Sequence, residues 1–215
     1  MSFRDKIIRN LTNMRLPIKN LDGEIIAYLE LIGEKDLDNF ELIDKITRWR
    51  ASFKECFLTE FEPTFQRTKS WLEKAIVLNP NRLLFKIFRT NDVLVGHIGA
   101  IFRETFVEYD YFILGIKVEI RNFALIVAQT FLLWILDVVN VGYILGNVRS
   151  DNLHAINFHL RTGFRIHQKV PMERIEMPNN EINFKETNDE GNCFLHLIEI
   201  RATKLELDVK RLSCL

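Results

Sequence analysis

The segments LVGHIGAIF (94–102), TFVEYDYFILG (105–115), RNFALIVAQTFLLWILDVV (121–139), GYILGNV (142–148) and RSDNLHAINFHLRTGF (149–164) decide the fold. The first two are apolar runs of strand length and the third is an apolar run of helix length. A short strand follows, then a helix containing Ala155, Ile156, Phe158 and Leu160 that Gly163 closes. Asp151 or Asn152 is placed to cap that last helix. The helix of 121–139 is apolar on almost every face, which predicts cover from both a sheet and a neighbouring helix. A connection through such a helix leaves the strands on either side of it roughly parallel.

Working upstream, Asn91-Asp92 is a tight turn between RLLFKIFRT (82–90) and 93–102, so three consecutive antiparallel strands are expected. Leu37, Phe40, Leu42, Ile43, Ile46 and Trp49 recur at near-helical spacing and predict an amphipathic helix over 35–50. Arg48 and Arg50 fall in its last turn, where the helix dipole favours cations. After a loop over 53–66, a second helix starts at Thr64 or Arg67 and runs to the breaker Asn79-Pro80-Asn81. GEIIAYLELIG (23–33) reads as a strand, while residues 1–22 are poorly determined. Downstream, FRIHQKV (164–170) and CFLHLIEIRA (193–202) are strands expected to pair across a polar excursion over 171–191. With no repeat or linker, residues 1–215 are expected to form one domain. Its class is α/β (α+β): a mixed, mostly antiparallel sheet with one parallel pair and helices on both faces.

A chain that is 47% hydrophobic with 17 Phe can bury a large core. Lys plus Arg equals Asp plus Glu at 29 each, so no overall basic field gathers nucleic acid or an anionic membrane, and neither partner is expected. The most apolar helix, 123–136, falls short of the roughly 20 apolar residues of a membrane span. Cys56, Cys193 and Cys214 form neither a CxxC pair nor a disulfide framework. With no signal-peptide core at the N-terminus, a cytoplasmic location is expected. Trp49, Trp71 and Trp134 are assigned to packing. His154 and His159 are five apart, off the same-face spacing, and no metal site is expected.

The run Val148, Asn152, Ala155, Ile156, Phe158, Gly163, Phe164 resembles the C-terminal signature of the GNAT N-acetyltransferases, a strand followed by N-x-x-A-I-x-F-Y-x-K-x-G-F. LVGHIGAIF resembles the family's central strand. The resemblance implies that strands 107–118 and 142–148 splay apart to admit the pantetheine arm of acetyl-CoA, the co-substrate. It also implies that the pyrophosphate rests on amides at the start of the following helix. The phosphate loop would be Arg121, Asn122, Phe123, Ala124, Leu125 and Ile126, in which Ala124 and Ile126 replace the family's glycines. Ile126 is expected to crowd the phosphate. Asn152 is implied to contact the cofactor arm as well as to cap its helix.

His159 stands where many members have a tyrosine that protonates the departing thiolate. It is the candidate for that step as imidazolium or through a water, the alternative being a surface or capping histidine. Glu108 and Asp110 lie two apart on a predicted strand and share a face. They are candidates to hold the substrate cation and relay its proton, the alternative being a solvated edge. His97 is a further candidate, or else a hydrogen-bonded core histidine. Trp49-Arg50, Ser70-Trp71-Leu72 and Val95 to Gly99 are similar to the branch that includes ribosomal-protein and nucleotide-sugar amine acetyltransferases. The implied function is acetyl transfer to a small amine such as an amino sugar, the excursion's Asn179, Asn180, Asn183, Asn188 and Asn192 being candidate sugar contacts. A GNAT-fold binding or regulatory protein without catalysis, and an acetyltransferase of protein N-termini or lysines, are the alternatives. The oligomeric state is open, a homodimer being compatible.

Overall fold

The computed structural model describes residues 3–9, 11, 15–178, 181–188 and 193–201. In chain order these form α1 (Phe3–Arg9), β1 (Arg15–Lys19), β2 (Ile25–Leu31), α2 (Phe40–Ser52), β3 (Thr59–Glu60) and α3 (Phe65–Trp71), which continues as a π-helical stretch over Leu72–Val77. Then come β4 (Arg82–Arg89), β5 (Leu94–Phe102), β6 (Val107–Leu114), α4 (Phe123–Val139), β7 (Tyr143–Arg149), α5 (Leu153–Thr162), β8 (Arg165–Glu176), β9 (Ile182–Glu186) and β10 (Cys193–Arg201). The strands make one sheet in the order β1-β2-β4-β5-β6-β7-β10-β8-β9-β3. Among the described residues only β6 and β7 pair in parallel.

The period-2 alternation of β4 sorts two cores. Leu83, Phe85 and Ile87 face one side with Val127, Phe131 and Ile135 of α4, whereas Leu84 faces the other with Ile43, Ile46 and Trp49 of α2 and Leu72. Helices therefore cover both faces, as the unbroken burial of β5 requires. Gln129 is the one buried polar residue of α4, and its Nε2 donates to the Thr162 carbonyl at 3.3 Å, fastening α4 to the end of α5. Gly163, at φ 114°, ends α5 in the left-handed conformation that a side chain resists. No helix among the described residues is long and apolar enough to cross a membrane.

Several boundaries and pairings differ from the sequence expectation, the first two for a local reason. Residues 15–19, left undetermined above, pair with β2 because the Asn20 side chain accepts from the amides of Asp22 and Glu24 and builds the turn. Helix α2 starts at Phe40 instead of 35. Asp36 Oδ2 accepts from the Gly33 amide and winds 34–38 into a 3-10 turn, so Asn39, accepting from the Leu42 amide at 3.0 Å, becomes the cap. The polar excursion is largely a hairpin, since β8 runs on to Glu176 and pairs with β9, while β3 from the expected loop pairs with β9 in turn. The last long strand does pair with β8, but it slots between β7 and β8. Asn179, Asn180, Asn192 and Cys214 lie outside the described residues.

Candidate active site

The parallel ladder of β6 and β7 holds from Val107↔Ile144 to Tyr109↔Gly146 and stops there, although both strands continue. A bulge on β6 causes the parting. Between the pairs His97↔Ile113 and Gly99↔Asp110, the single residue Ile98 of β5 lies opposite two of β6, Tyr111 and Phe112, and Tyr111 takes the left-handed conformation at φ 55°. The edge of β6 beyond Tyr109 therefore faces a gap. A cleft of about 760 Å³ fills that gap. A second cavity, of about 470 Å³, opens at the start of α4 and shares Leu114, Ala124 and Phe158 with the first. Phe158 stacks on Phe112 at 5.2 Å between centroids and forms the neck between the two.

The groups around the smaller cavity are of a kind that can hold an anion. Asn122 is the residue before α4, but its side chain caps nothing, because its Oδ1 accepts from Arg161 Nη2 at 3.3 Å. The first-turn amides of a helix have no intrahelical acceptor, so Ala124 and Leu125, which line the cavity, present donors at the positive end of a long helix. Lys117 and Arg161 line the same cavity and add positive charge. Of the loop residues named from sequence, Asn122, Phe123, Ala124 and Leu125 line the cavity. Arg121 is exposed and outside both linings. Ile126 packs partly buried against the main core, so its β-branch does not crowd the cavity as expected from sequence. Lys117 and Arg161 were missed there, although Arg161 stands at the lysine position of the quoted signature. The groups present fit a pyrophosphate, and Ala124 lines both cavities.

The larger cleft has two walls. One holds Tyr109, Ala155, Phe158 and His159, and the other Arg50, Phe61, Trp71, Arg82, Asp110 and Tyr111. His159 packs against Tyr109, Phe158 and Phe164 at centroid distances of 5.6, 5.4 and 5.6 Å, and its Nδ1 is buried without a partner. Burial among these rings pushes its pKa down to about 4, so it rests as neutral imidazole. The Tyr109 hydroxyl is likewise buried and unpartnered, and burial alone drives its pKa well up. Asn152 caps α5, its Oδ1 accepting from the Ala155 amide at 3.1 Å, and it lines the cleft as well.

The two strand carboxylates part company. Glu108 is held by Arg103, at 2.6 Å to Nη2, and by Asn147, at 2.9 Å to Nδ2. Asp110 makes no ion pair among the described residues; its Oδ1 accepts from the Tyr111 amide at 2.9 Å. The side chain is partly exposed to the cleft, yet protein crowds its carboxyl. That burial, reinforced by the charge of Glu108 and opposed by Arg82, lifts its pKa to about 7. Arg82 Nη1 donates to the Tyr111 hydroxyl at 3.0 Å, and the Tyr111 ring meets Trp71 edge-on at 5.0 Å. Trp71, assigned to packing from sequence, therefore also lines the site.

Of two further residues, His97 takes the core reading given for it from sequence, whereas Arg50 departs from its reading. His97 is fully buried; its Nδ1 donates to the Tyr111 carbonyl at 2.7 Å, and burial pushes its pKa down to about 4. It is a core histidine that pins the bulge. Arg50, read as a last-turn dipole residue, lies on the buried stripe of α2 with Ile43, Ile46 and Trp49 and reaches the cleft. Its signal was available: it follows Ile43 by two turns and Ile46 by one, an arginine in an apolar stripe. Among the described residues no group of three or more His, Cys, Asp or Glu is placed to hold a metal ion.

A family model, the Acetyltransferase (GNAT) domain, matches residues 29–182. Among solved structures the chain is similar to spermidine N-acetyltransferase from Vibrio cholerae in complex with CoA and spermine. The TM-score is 0.60 and the identity 15%, over 84% of this chain and 98% of that one. It is also similar to a GNAT-family acetyltransferase from Bacillus anthracis, with TM-score 0.58 and 14% identity over 83% of this chain and 96% of that one. At such identities the likeness is one of fold. No curated protein matches. With the family model spanning well over half of the sequence and the splayed strand pair in place, the chain belongs to the GNAT family of N-acetyltransferases.

Proposed function

We propose that the protein transfers an acetyl group from acetyl-CoA to the amine of a small molecule by direct attack on the thioester. The observation that carries this reading is the adjacency of the two cavities beside the parted strands, sharing Leu114, Ala124 and Phe158, with Lys117, Arg161 and free helix amides at one and a carboxyl of pKa about 7 in the other. Acetyl-CoA supplies an acyl group already activated as a thioester. The amides of Ala124 and Leu125, with Lys117 and Arg161, hold its phosphates. Backbone groups on the open edge of β6 hold the arm and orient the carbonyl.

On the acceptor wall Asp110 takes a proton from the substrate ammonium, which frees the nitrogen lone pair to attack. A pKa near neutrality suits this task, because the carboxylate is half available yet still basic enough to accept. Glu108, neutralised by Arg103, contributes field to Asp110 and does not itself serve as the base. The new C–N bond forms as the C–S bond breaks, and the sulfur takes up a proton. His159 serves that step. Attack makes the remaining N–H proton of the amine acidic, and the imidazole accepts it as negative charge growing beside the ring offsets the burial that otherwise keeps it neutral. It passes that proton to sulfur, while the proton held by Asp110 returns to solvent. Asn152 positions α5 and touches the arm. An amino sugar remains the favoured acceptor type within this reading, and a cytoplasmic location goes with it.

Isothermal titration with acetyl-CoA tests the reading directly. Micromolar binding is expected, and CoA release should follow when an acceptor amine is added. Folded protein that gives no heat at millimolar acetyl-CoA would instead be a GNAT-fold protein without catalysis.

A further inference from the structure

The acceptor wall carries a cation with nothing opposite it. Arg50 closes α2 and is only 8% exposed. Its guanidinium lies over Trp71 at 4.3 Å and over Phe61 at 4.9 Å. Its Nη1 is buried with no acceptor, and no ion pair involves this residue among the described ones. The other arginines of the cleft are engaged, Arg82 with the Tyr111 hydroxyl and Arg103 with Glu108. A buried, unpaired charge is a standing cost to the fold, which two ring faces offset only in part. An incoming anion removes it. A guanidinium clamped between rings has lost most of its freedom beforehand and presents a planar fork matched to a carboxylate or phosphate.

We propose that Arg50 receives an anionic group, carboxylate or phosphate, on the same molecule whose amine is presented to Asp110. The two sites are neighbours through one aromatic contact, since Trp71 packs on both Arg50 and Tyr111, whose amide donates to Asp110. The acceptor is thus an amine that also bears an anion. A polycation such as a polyamine would set like charge beside Arg50. The inference rests on the acetyltransferase reading for its amine, but the anion site can be measured without turnover.

The test compares matched acceptors, glucosamine 6-phosphate with glucosamine and β-alanine with ethylamine, plus spermidine, in wild type, Arg50→Gln and Arg50→Met. The anionic member of at least one pair is expected to have a kcat/KM about 10- to 100-fold above its neutral partner, with spermidine poorest. Both variants should raise KM for the anionic member by about that factor, with a much smaller change for the neutral one. The pair that shows the larger preference tells phosphate from carboxylate. Equal kcat/KM within both pairs, a preference for spermidine, or parallel losses for both members in the variants overturns the proposal.

Calorimetric titration of glucosamine 6-phosphate and β-alanine into the protein reads the site independently. Binding of either that Arg50→Gln abolishes, in a protein that acetylates nothing, would sustain the anion site and sink the catalytic reading. No binding of either to wild type would sink the anion site whatever the catalytic result. Thermal melts guard against a folding artefact. Because Arg50→Met removes an unpaired buried charge, it should melt at or above wild type, and a melt lower by about 10 °C would assign Arg50 a structural role instead.

Discussion

Asp110 and Glu108 are interchangeable on paper, yet Glu108 is paired with Arg103 while crowding by protein lifts the Asp110 pKa to about 7, which is why the proposed base is Asp110. Asp110→Asn is expected to lower kcat/KM by about 10²- to 10⁴-fold, and in the wild type kcat/KM should rise with pH through about 7, as a base that must be deprotonated requires. A flat profile across that range would remove Asp110 from the mechanism. The same shift has a sign for stability. The folded-state pKa of Asp110 lies above its ordinary 3.8, so its contribution is present in full below that value and is lost as pH rises through about 7. Asp110→Asn should therefore melt above wild type at about pH 8, with no such gain at about pH 4. For His159 the check is a pair of variants. Phe at this site should slow kcat by about 10- to 100-fold with acetyl-CoA affinity kept, and Tyr should restore much of the loss by supplying a hydroxyl in the same enclosure. Both residues were named as candidates from the sequence, but the difference between Asp110 and Glu108 and the neutral resting state of His159 were not readable there, because a pKa is a property of what folds around the group.

At the level of elements, the bulge of β6, the start of α4 and the cap of α5 build the site together. The signature Asn152 to Phe164 announced α5 and its cap, and the cap is visible at 3.1 Å. Asn152→Ala should cost about 1 kcal/mol by loss of the cap, and Asn152→Ser should recover stability. If the side chain also touches the acetyl-CoA arm, the Ser variant will keep a raised KM for acetyl-CoA that its stability does not explain. The loop 121–126 was half legible. Its position at a helix start followed from the pattern, but the missing glycines suggested crowding by Ile126, and the helix phase turns that side chain into the core instead. Arg161, one helix away, completes the loop by taking the Asn122 side chain, a contact between residues 39 apart that no local pattern reveals. Arg161→Gln should raise KM for acetyl-CoA about 3- to 10-fold, and the difference from wild type should shrink with added salt, since it is electrostatic.

Across the whole molecule, the wall of the cleft that carries Arg50 depends on how α2 is fixed to the sheet. Lys86 of β4, only 4% exposed, reaches Glu30 of β2 and Asp36 of the turn before α2, each at 2.7 Å. This buried cluster joins the sheet to the helix that carries Arg50. Lys86→Met leaves two carboxylates without their cation and should cost about 3–5 kcal/mol, measured by denaturant unfolding at neutral pH. The loss should be smaller at about pH 4, where the carboxylates can take up protons. A variant as stable as wild type at neutral pH would show that the cluster contributes nothing net. The sequence by itself determined the order of elements, the parallel return through an apolar helix and the family signature, because periodicity, caps and turn residues act over a few positions and survive without context. The tertiary structure alone decided which carboxylate is ion-paired and which is crowded by protein, that His159 rests neutral, that Arg50 stands unpaired beside Trp71, and where the strands part. Each of these is set by burial or by contacts between residues distant in the chain, and a sequence pattern reports neither.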